Sequence, residues 1–218
     1  MLIIGHRGDR EKFTDNTIEG IESAFKRGAD GAEFDVYYRP EKGVYLVHPY
    51  LHDLSKDYPT LDEVLQKFGK NGRIQIEIKS LERVCVDEVA KLTEKYQITN
   101  LELSSSLYPL LPYVREVYPK ADIQLIGYRL IEEWWTEDFG NYFLMKYLEL
   151  TGANVISIGK PDNFWSKERV EIFHKNGFKV ESHLYTDTKE EYFNLEEAGV
   201  DASTADKLEV LKWRVTDS

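Results

Sequence analysis

The 218-residue chain holds a single cysteine, Cys85, so no internal disulfide can staple it. Cys85 lies in LERVCVDEVAKL, where Leu81, Val84, Cys85, Val89 and Leu92 repeat with helical spacing. It reads as a small buried hydrophobe rather than a nucleophile. No apolar stretch approaches the roughly 20 residues that a bilayer requires, so no stable membrane insertion is expected. No basic start followed by an apolar run opens the chain, so no signal peptide is expected either, and the protein is expected to be soluble and cytoplasmic. Positive charge is scarce: 28 Lys and Arg against 39 Asp and Glu leave a formal net charge of −11. That argues against nucleic acid as a partner, because DNA and RNA need a positive footprint. It does not exclude a small anionic substrate, which feels local charge more than the total. No G-x-G-x-x-G follows the first apolar segment, which disfavours an open dinucleotide-binding sheet. Linkers, repeats and low-complexity segments are also missing, so one domain over 1–218 is expected.

What is present is an alternation of short apolar strands and longer helical patterns. Strands are expected at LIIG (2–5), AEFDVYY (32–38), RIQIEIK (73–79), LELSSS (101–106), DIQLIG (122–127), VISIG (155–159), KVESHLY (179–185) and DASTA (201–205). VYLVH (44–48) reads as a hairpin partner or continuation of the second. Helical patterns follow: Ile18, Ile21 and Phe25 share one stripe, with Asn16 and Glu19 placed as a capping box. Thr60 and Glu63 form a second capping box before Leu61, Val64, Leu65 and Phe68, and Gly69 ends that helix. Further helices are expected over 81–96, 107–118, 131–150, 165–176, 188–198 and 206–213. About eight βα units in a chain of this length predict an α/β fold, a compact single-domain (β/α)8 TIM barrel.

Strands covered on both faces should be nearly continuous apolar runs. Two are not. In AEFDVYY, Glu33 and Asp35 share one face, and in RIQIEIK, Gln75, Glu77 and Lys79 do, while the apolar residues take the other. In a barrel the apolar set must meet the helices, so the carboxylates converge inside. Buried carboxylates are costly unless paired or bound to metal, and hard oxygen ligands suit Mg²⁺ or Ca²⁺. His6 and Arg7 end the first strand and His48 ends the VYLVH segment, on the rim where barrel active sites lie. Two histidines beside three carboxylates suggest an acid/base pair, and Arg7 with Lys79 and a divalent cation would receive a phosphate. His183 shares a strand face with Glu181 and is a candidate to line the site; His52 lies in a polar loop and His174 on the polar side of a helix. Gly8 is expected to let the backbone turn close to the ligand. Which histidine is acid and which is base is left open, since both titrate in the same range.

HRG (6–8), DNT (15–17), GADGAEFDV (28–36), the His48 strand end, TLDEVL (60–65) and IEIK (76–79) resemble the glycerophosphodiester phosphodiesterases, most clearly over residues 1–80. The resemblance implies a TIM barrel, one divalent cation (Mg²⁺ or Ca²⁺) on Glu33, Asp35 and Glu77, and His6 and His48 as catalytic residues. Arg7, Lys79 and His183 are then the phosphate- or substrate-binding residues. The implied reaction is hydrolysis of a small-molecule glycerophosphodiester to glycerol 3-phosphate and an alcohol, a step of lipid and glycerol metabolism. The chain departs from the family pattern at Pro49, where an aspartate usually follows the second histidine; His52-Asp53 offers a rival register, but the spacing from Asp35 favours His48. It has only PYLHDLSKDYP where a longer insertion usually frames the pocket, so a more open pocket is expected. His183 stands where the family usually has tryptophan. Related lysophospholipase D and sphingomyelinase D-like enzymes, which form a cyclic phosphate, are the alternative. The lack of an obvious exposed apolar loop weighs against them. A non-catalytic phosphoester-binding barrel is the other alternative.

Overall fold

The computed structural model describes residues 1–127, 137–159, 164–183 and 188–214, the side chains of 137 and 138 excepted. Eight parallel strands close into a barrel: Leu2–Gly5 (β1), Gly31–Arg39 (β2), Arg73–Ile78 (β4), Leu101–Ser105 (β5), Asp122–Ile126 (β6), Val155–Ile158 (β7), Lys179–His183 (β8) and Ala202–Ala205 (β9). The closure is the β1–β2 pairing, Ile4 beside Gly31. Gly43–Leu46 (β3) is a ninth, antiparallel strand that pairs with the far end of β2, Val36 beside Leu46. The VYLVH segment is therefore a hairpin arm. It carries His48 back toward the barrel mouth, where the Val47 N–H donates to the Asp35 carbonyl at 3.1 Å.

Helices Ile18–Lys26 (α1), Leu61–Phe68 (α2), Arg83–Lys95 (α3), Leu111–Val117 (α4), Glu137–Thr151 (α5), Lys167–Lys175 (α6) and Lys189–Ala198 (α7) surround the barrel. The last described element is a 3₁₀ turn, Leu208–Trp213, where an α-helix was expected. Positions 131–136 of the expected aromatic helix and 184–185 of the seventh expected strand lie outside the described residues. No helix among the described residues is long and apolar enough to cross a membrane.

The period-two patterns settle the faces. Ala32, Phe34, Val36, Ile74, Ile76, Ile78, Leu103, Ile123, Leu125, Ile156 and Val180 all join the main apolar core with the helices. Their alternates face the barrel axis, and most are polar: Glu33, Asp35, Gln75, Glu77, Glu102, Gln124 and Glu181 are all buried. A (β/α)8 interior is normally filled with branched apolar side chains. Here it is a hydrogen-bonded polar stack.

Two local expectations change. Thr17, not Asn16, caps α1, its hydroxyl accepting from the Gly20 N–H at 3.2 Å. Leu81 and Val84 are exposed, and α3 buries Cys85, Val86 and Val89 instead, because the helix begins at Arg83 and not at 81. Cys85 is fully buried, and burial pushes its thiol up to about 12, as suits an inert core residue. The Thr60–Glu63 capping box and the Gly69 terminus of α2 form as expected.

Candidate active site

Glu33 and Asp35 point inward from β2, and Glu77 from β4, where the register sets Asp35 beside Glu77. One oxygen from each of the three lies within 4.8 Å of the others. Burial, then repulsion from Asp35 and Glu77, holds the Glu33 carboxyl well above the usual carboxylate range. Burial also acts to raise Asp35, but Lys79, Arg7 and the Asn16 amide outweigh it and the pKa is lowered. Lys79 Nζ stands 2.5 Å from Glu77 and 3.4 Å from Asp35. Burial alone would lower its pKa; Glu77 and Asp35 raise it instead.

Among the described residues, Glu33 Oε1 and Asp35 Oδ1 are buried with no hydrogen-bond partner, Asp35 Oδ1 having the Lys79 ion pair at 3.4 Å. Three hard oxygen donors converging with two of them unsatisfied fit a divalent cation of the Mg²⁺ or Ca²⁺ kind.

Arg7 sits in the left-handed region, φ 56°, a costly conformation for a side chain of this size. It turns the Arg7 N–H onto Glu33 Oε2 at 2.9 Å and brings the guanidinium to Asp15 at 3.0 Å and Asp35 at 2.8 Å. Asp35 and Glu33 hold that guanidinium charged against the opposing effect of burial. Gly8 follows at φ 89°, and a Cβ there would meet the Gly20 carbonyl carbon of α1 at 2.6 Å. Gly8 thus seats the loop closely on the backbone of α1.

His6 is buried, with Nδ1 2.7 Å from Asp206 Oδ1 and Nε2 4.0 Å from Glu33 Oε2. Burial lowers its pKa against the pull of Asp206. His183, on β8, packs edge-on against His6 with ring centres 5.1 Å apart, and its Nδ1 is 3.0 Å from Thr204 Oγ1. Burial, then the charge of His6, pushes it down to about 3. His48 is pushed down to about 4 by burial, with Asp35 opposing and Lys79 and Arg7 adding to the fall. The His52 ring is turned to local use, its Nδ1 accepting the His48 N–H at 3.2 Å. Pro49 occupies the second position of the turn closed by the Leu51 N–H and the His48 carbonyl, a place where its fixed φ fits.

All eight residues expected at the site, His6, Arg7, Glu33, Asp35, His48, Glu77, Lys79 and His183, therefore come together at the barrel mouth. Several of their polar partners were not expected. Asn16 donates to Asp35 Oδ2 and accepts the Asp35 N–H, both at 3.0 Å, which is why it is not the helix cap. Asp206 and Arg10 sit behind His6, and Ser106 Oγ donates to Glu77 at 3.3 Å. Asn16 reads in the sequence only as a helix cap and as part of DNT, and Asp206 has no sequence signal beyond its place just after the strand Ala202–Ala205. Apolar groups also border the mouth. Tyr50 and Leu51, 72% and 63% exposed, follow His48, and Leu81, 61% exposed, follows Lys79. The expected lack of an exposed apolar loop is thereby corrected.

The fold is a (β/α)8 barrel of the TIM class, with a buried carboxylate triad that could hold a metal ion, flanked by cations and histidines, at its C-terminal mouth. Comparison with known proteins narrows the class. The glycerophosphoryl diester phosphodiesterase family model matches residues 6–38. A curated glycerophosphodiester phosphodiesterase of Caldanaerobacter subterraneus is 27% identical over 157 residues, a match covering 66% of this chain and 60% of that protein. One from Bacillus altitudinis is 24% identical over 80% of this chain and 75% of its own length. Among solved structures, a glycerophosphodiester phosphodiesterase of Thermotoga maritima shares the barrel with a TM-score of 0.75 at 24% identity, covering 98% of each chain. An Oleispira antarctica phosphodiesterase, solved with its product sn-glycerol-3-phosphate, gives a TM-score of 0.78 at 18% identity, covering 98% of this chain and 96% of its own. The family model and the curated relatives point to the glycerophosphoryl diester phosphodiesterase family, and the solved structures share the fold.

Proposed function

We propose that the chain is a metal-dependent phosphodiester hydrolase that cleaves glycerophosphodiesters to glycerol 3-phosphate and an alcohol. The observation that carries this reading is the meeting of two histidines, two cations and a three-carboxylate cluster with unsatisfied oxygens at one barrel mouth. Glu33, Asp35 and Glu77 hold one Mg²⁺ or Ca²⁺, which when bound neutralises the phosphate and stabilises charge developing on its oxygens. Arg7 and Lys79 grip the phosphate oxygens. His6 and His48 form the acid/base pair: one takes the proton of the attacking oxygen and the other supplies the proton for the leaving alkoxide. Burial depresses both histidines, and the negative charge of a bound phosphodiester raises them. His183 stands beside His6 to contact substrate.

Incubation with glycerophosphocholine or glycerophosphoethanolamine and either cation should release glycerol 3-phosphate. His6→Ala and His48→Ala should each lower kcat by about 10²–10⁴-fold while the far-ultraviolet spectrum and metal binding persist. Failure of the folded, metal-loaded wild type to release glycerol 3-phosphate removes the substrate claim, and retained activity in a variant removes that histidine. The exposed Tyr50, Leu51 and Leu81 favour one second reading, a lysophospholipase D-like enzyme whose substrate carries an apolar tail. A cyclic phosphate product from a lysophospholipid would distinguish it.

A further inference from the structure

We propose that Asp206, steadied by Arg10, is a positioning residue that holds His6 as its Nδ1–H tautomer and leaves Nε2 as the proton acceptor facing the carboxylate cluster. This deepens the function proposed above and rests on it for the reaction itself.

The segment DREKFTD (9–15) carries more charge than a turn requires, and the reaction as described uses none of its side chains. The fold gives several of them fixed places. Asp9 is fully buried and accepts from Ser23 Oγ at 2.6 Å and from Arg27 at 2.8 Å, which ties the loop to α1. Asp15 reaches Arg7 at 3.0 Å and Arg10 Nε at 3.2 Å. Arg10 then extends to Asp206 Oδ1 at 3.0 Å, behind the catalytic ring.

At His6 Nδ1 two groups meet: Asp206 Oδ1 at 2.7 Å and an Arg10 guanidinium nitrogen at 3.1 Å. A guanidinium only donates and a carboxylate only accepts. If Nδ1 carried the lone pair, it would face a carboxylate oxygen at hydrogen-bond distance with no proton between them. If Nδ1 carries the proton, it donates to Asp206, and Arg10 donates to the same oxygen from the side. The second arrangement makes the shortest contact, Nδ1 to Asp206 at 2.7 Å, a hydrogen bond, and leaves Arg10 at 3.1 Å as a second donor beside Nδ1 that shares the Asp206 oxygen. It leaves the lone pair on Nε2, which is buried, without a hydrogen-bond partner among the described residues, and 4.0 Å from Glu33. As the new P–O bond forms, the attacking oxygen gives its proton to His6 Nε2. The P–O bond to the alcohol breaks, and His48 supplies the proton that oxygen needs; solvent then restores both rings.

The test is nitrogen-15 NMR of histidine-labelled protein, with the His6 signals identified by their absence in His6→Gln, together with kinetics on two esters. Wild type should show His6 protonated at Nδ1 and bare at Nε2. In Asp206→Asn, whose amide can donate to Nδ1, the proton should move to Nε2. The kcat on glycerophosphocholine should fall about 10²–10⁴-fold in that variant with KM within about threefold, and about 3–30-fold in Arg10→Gln. The loss should be as large on the p-nitrophenyl ester of glycerol 3-phosphate, whose leaving group needs no acid. A wild-type His6 protonated at Nε2, an Asp206→Asn kcat within about threefold of wild type, or a loss that vanishes on the p-nitrophenyl ester would overturn the proposal. If wild type turns over neither ester, the hydrolase reading fails while the tautomer still decides the role of Asp206. The wild-type spectrum also decides it if Asp206→Asn does not fold.

Discussion

Glu33 is pressed between Asp35 and Glu77 in a water-poor barrel and accepts the Arg7 N–H. A glutamine there keeps an acceptor for that N–H and removes the repelling charge. Glu33→Gln should therefore raise the melting temperature of the metal-free protein by a few degrees, from about 1 kcal/mol of relieved repulsion. It should also abolish the rise in melting temperature that Mg²⁺ or Ca²⁺ gives wild type and that EDTA reverses, as calorimetry would show. His183 carries a second residue-level consequence. Its pKa in the folded protein, about 3, lies below its ordinary 6.5. Its contribution to stability is complete above about pH 6.5 and declines as pH falls toward 3, because the unfolded chain takes the proton first. At pH 4 the cost reaches about 3 kcal/mol, so the difference in urea midpoint between pH 7 and pH 4 should shrink in His183→Asn. The inward carboxylates were legible in the sequence because side-chain alternation fixes which residues share a face. Asn16 and Asp206 were not, because they act on partners 19 and 200 residues away, which no local pattern records.

At the scale of elements, the connection from β1 to α1 does most to build the site. It holds Arg7 and Asn16 at positive φ and lies against α1 through Gly8. Gly8→Ala should cost about 2–4 kcal/mol, from the strained φ and a Cβ forced onto helix backbone, with activity falling as His6 and Arg7 are displaced. Gly28→Ala is the control. It has φ 92° but nothing within 4 Å of the added Cβ, so it should cost only about 1 kcal/mol. Denaturant midpoints would separate the two. Strand and helix order was readable from periodicity, and the capping box of α2 from residue type alone. The cap of α1 was misplaced because asparagine and threonine are both good caps, and only the tertiary pull of Asp35 decides between them.

Seen whole, the molecule inverts the usual barrel core. Beneath the mouth, Gln75 and Gln124 each donate to both Glu102 and Glu181, and Arg73 reaches Glu102 and, at 3.0 Å, Asp122. Burial and then Glu102 hold the Glu181 carboxyl far above its ordinary range. Arg73→Leu would leave two buried carboxyl groups without their cation and should destabilise the fold by about 3–5 kcal/mol in urea unfolding. This stack lets the carboxylate triad sit on a polar floor and not on hydrocarbon. The central claim is that the mouth above that floor hydrolyses a phosphodiester with a divalent cation. Phosphorus-31 NMR of glycerophosphocholine mixed with the protein, first with Mg²⁺ or Ca²⁺ and then with excess EDTA, tests it most directly. The account predicts a glycerol 3-phosphate resonance that grows with the cation and stops with EDTA. An unchanged glycerophosphocholine signal with the cation present, or turnover indifferent to EDTA, would contradict it.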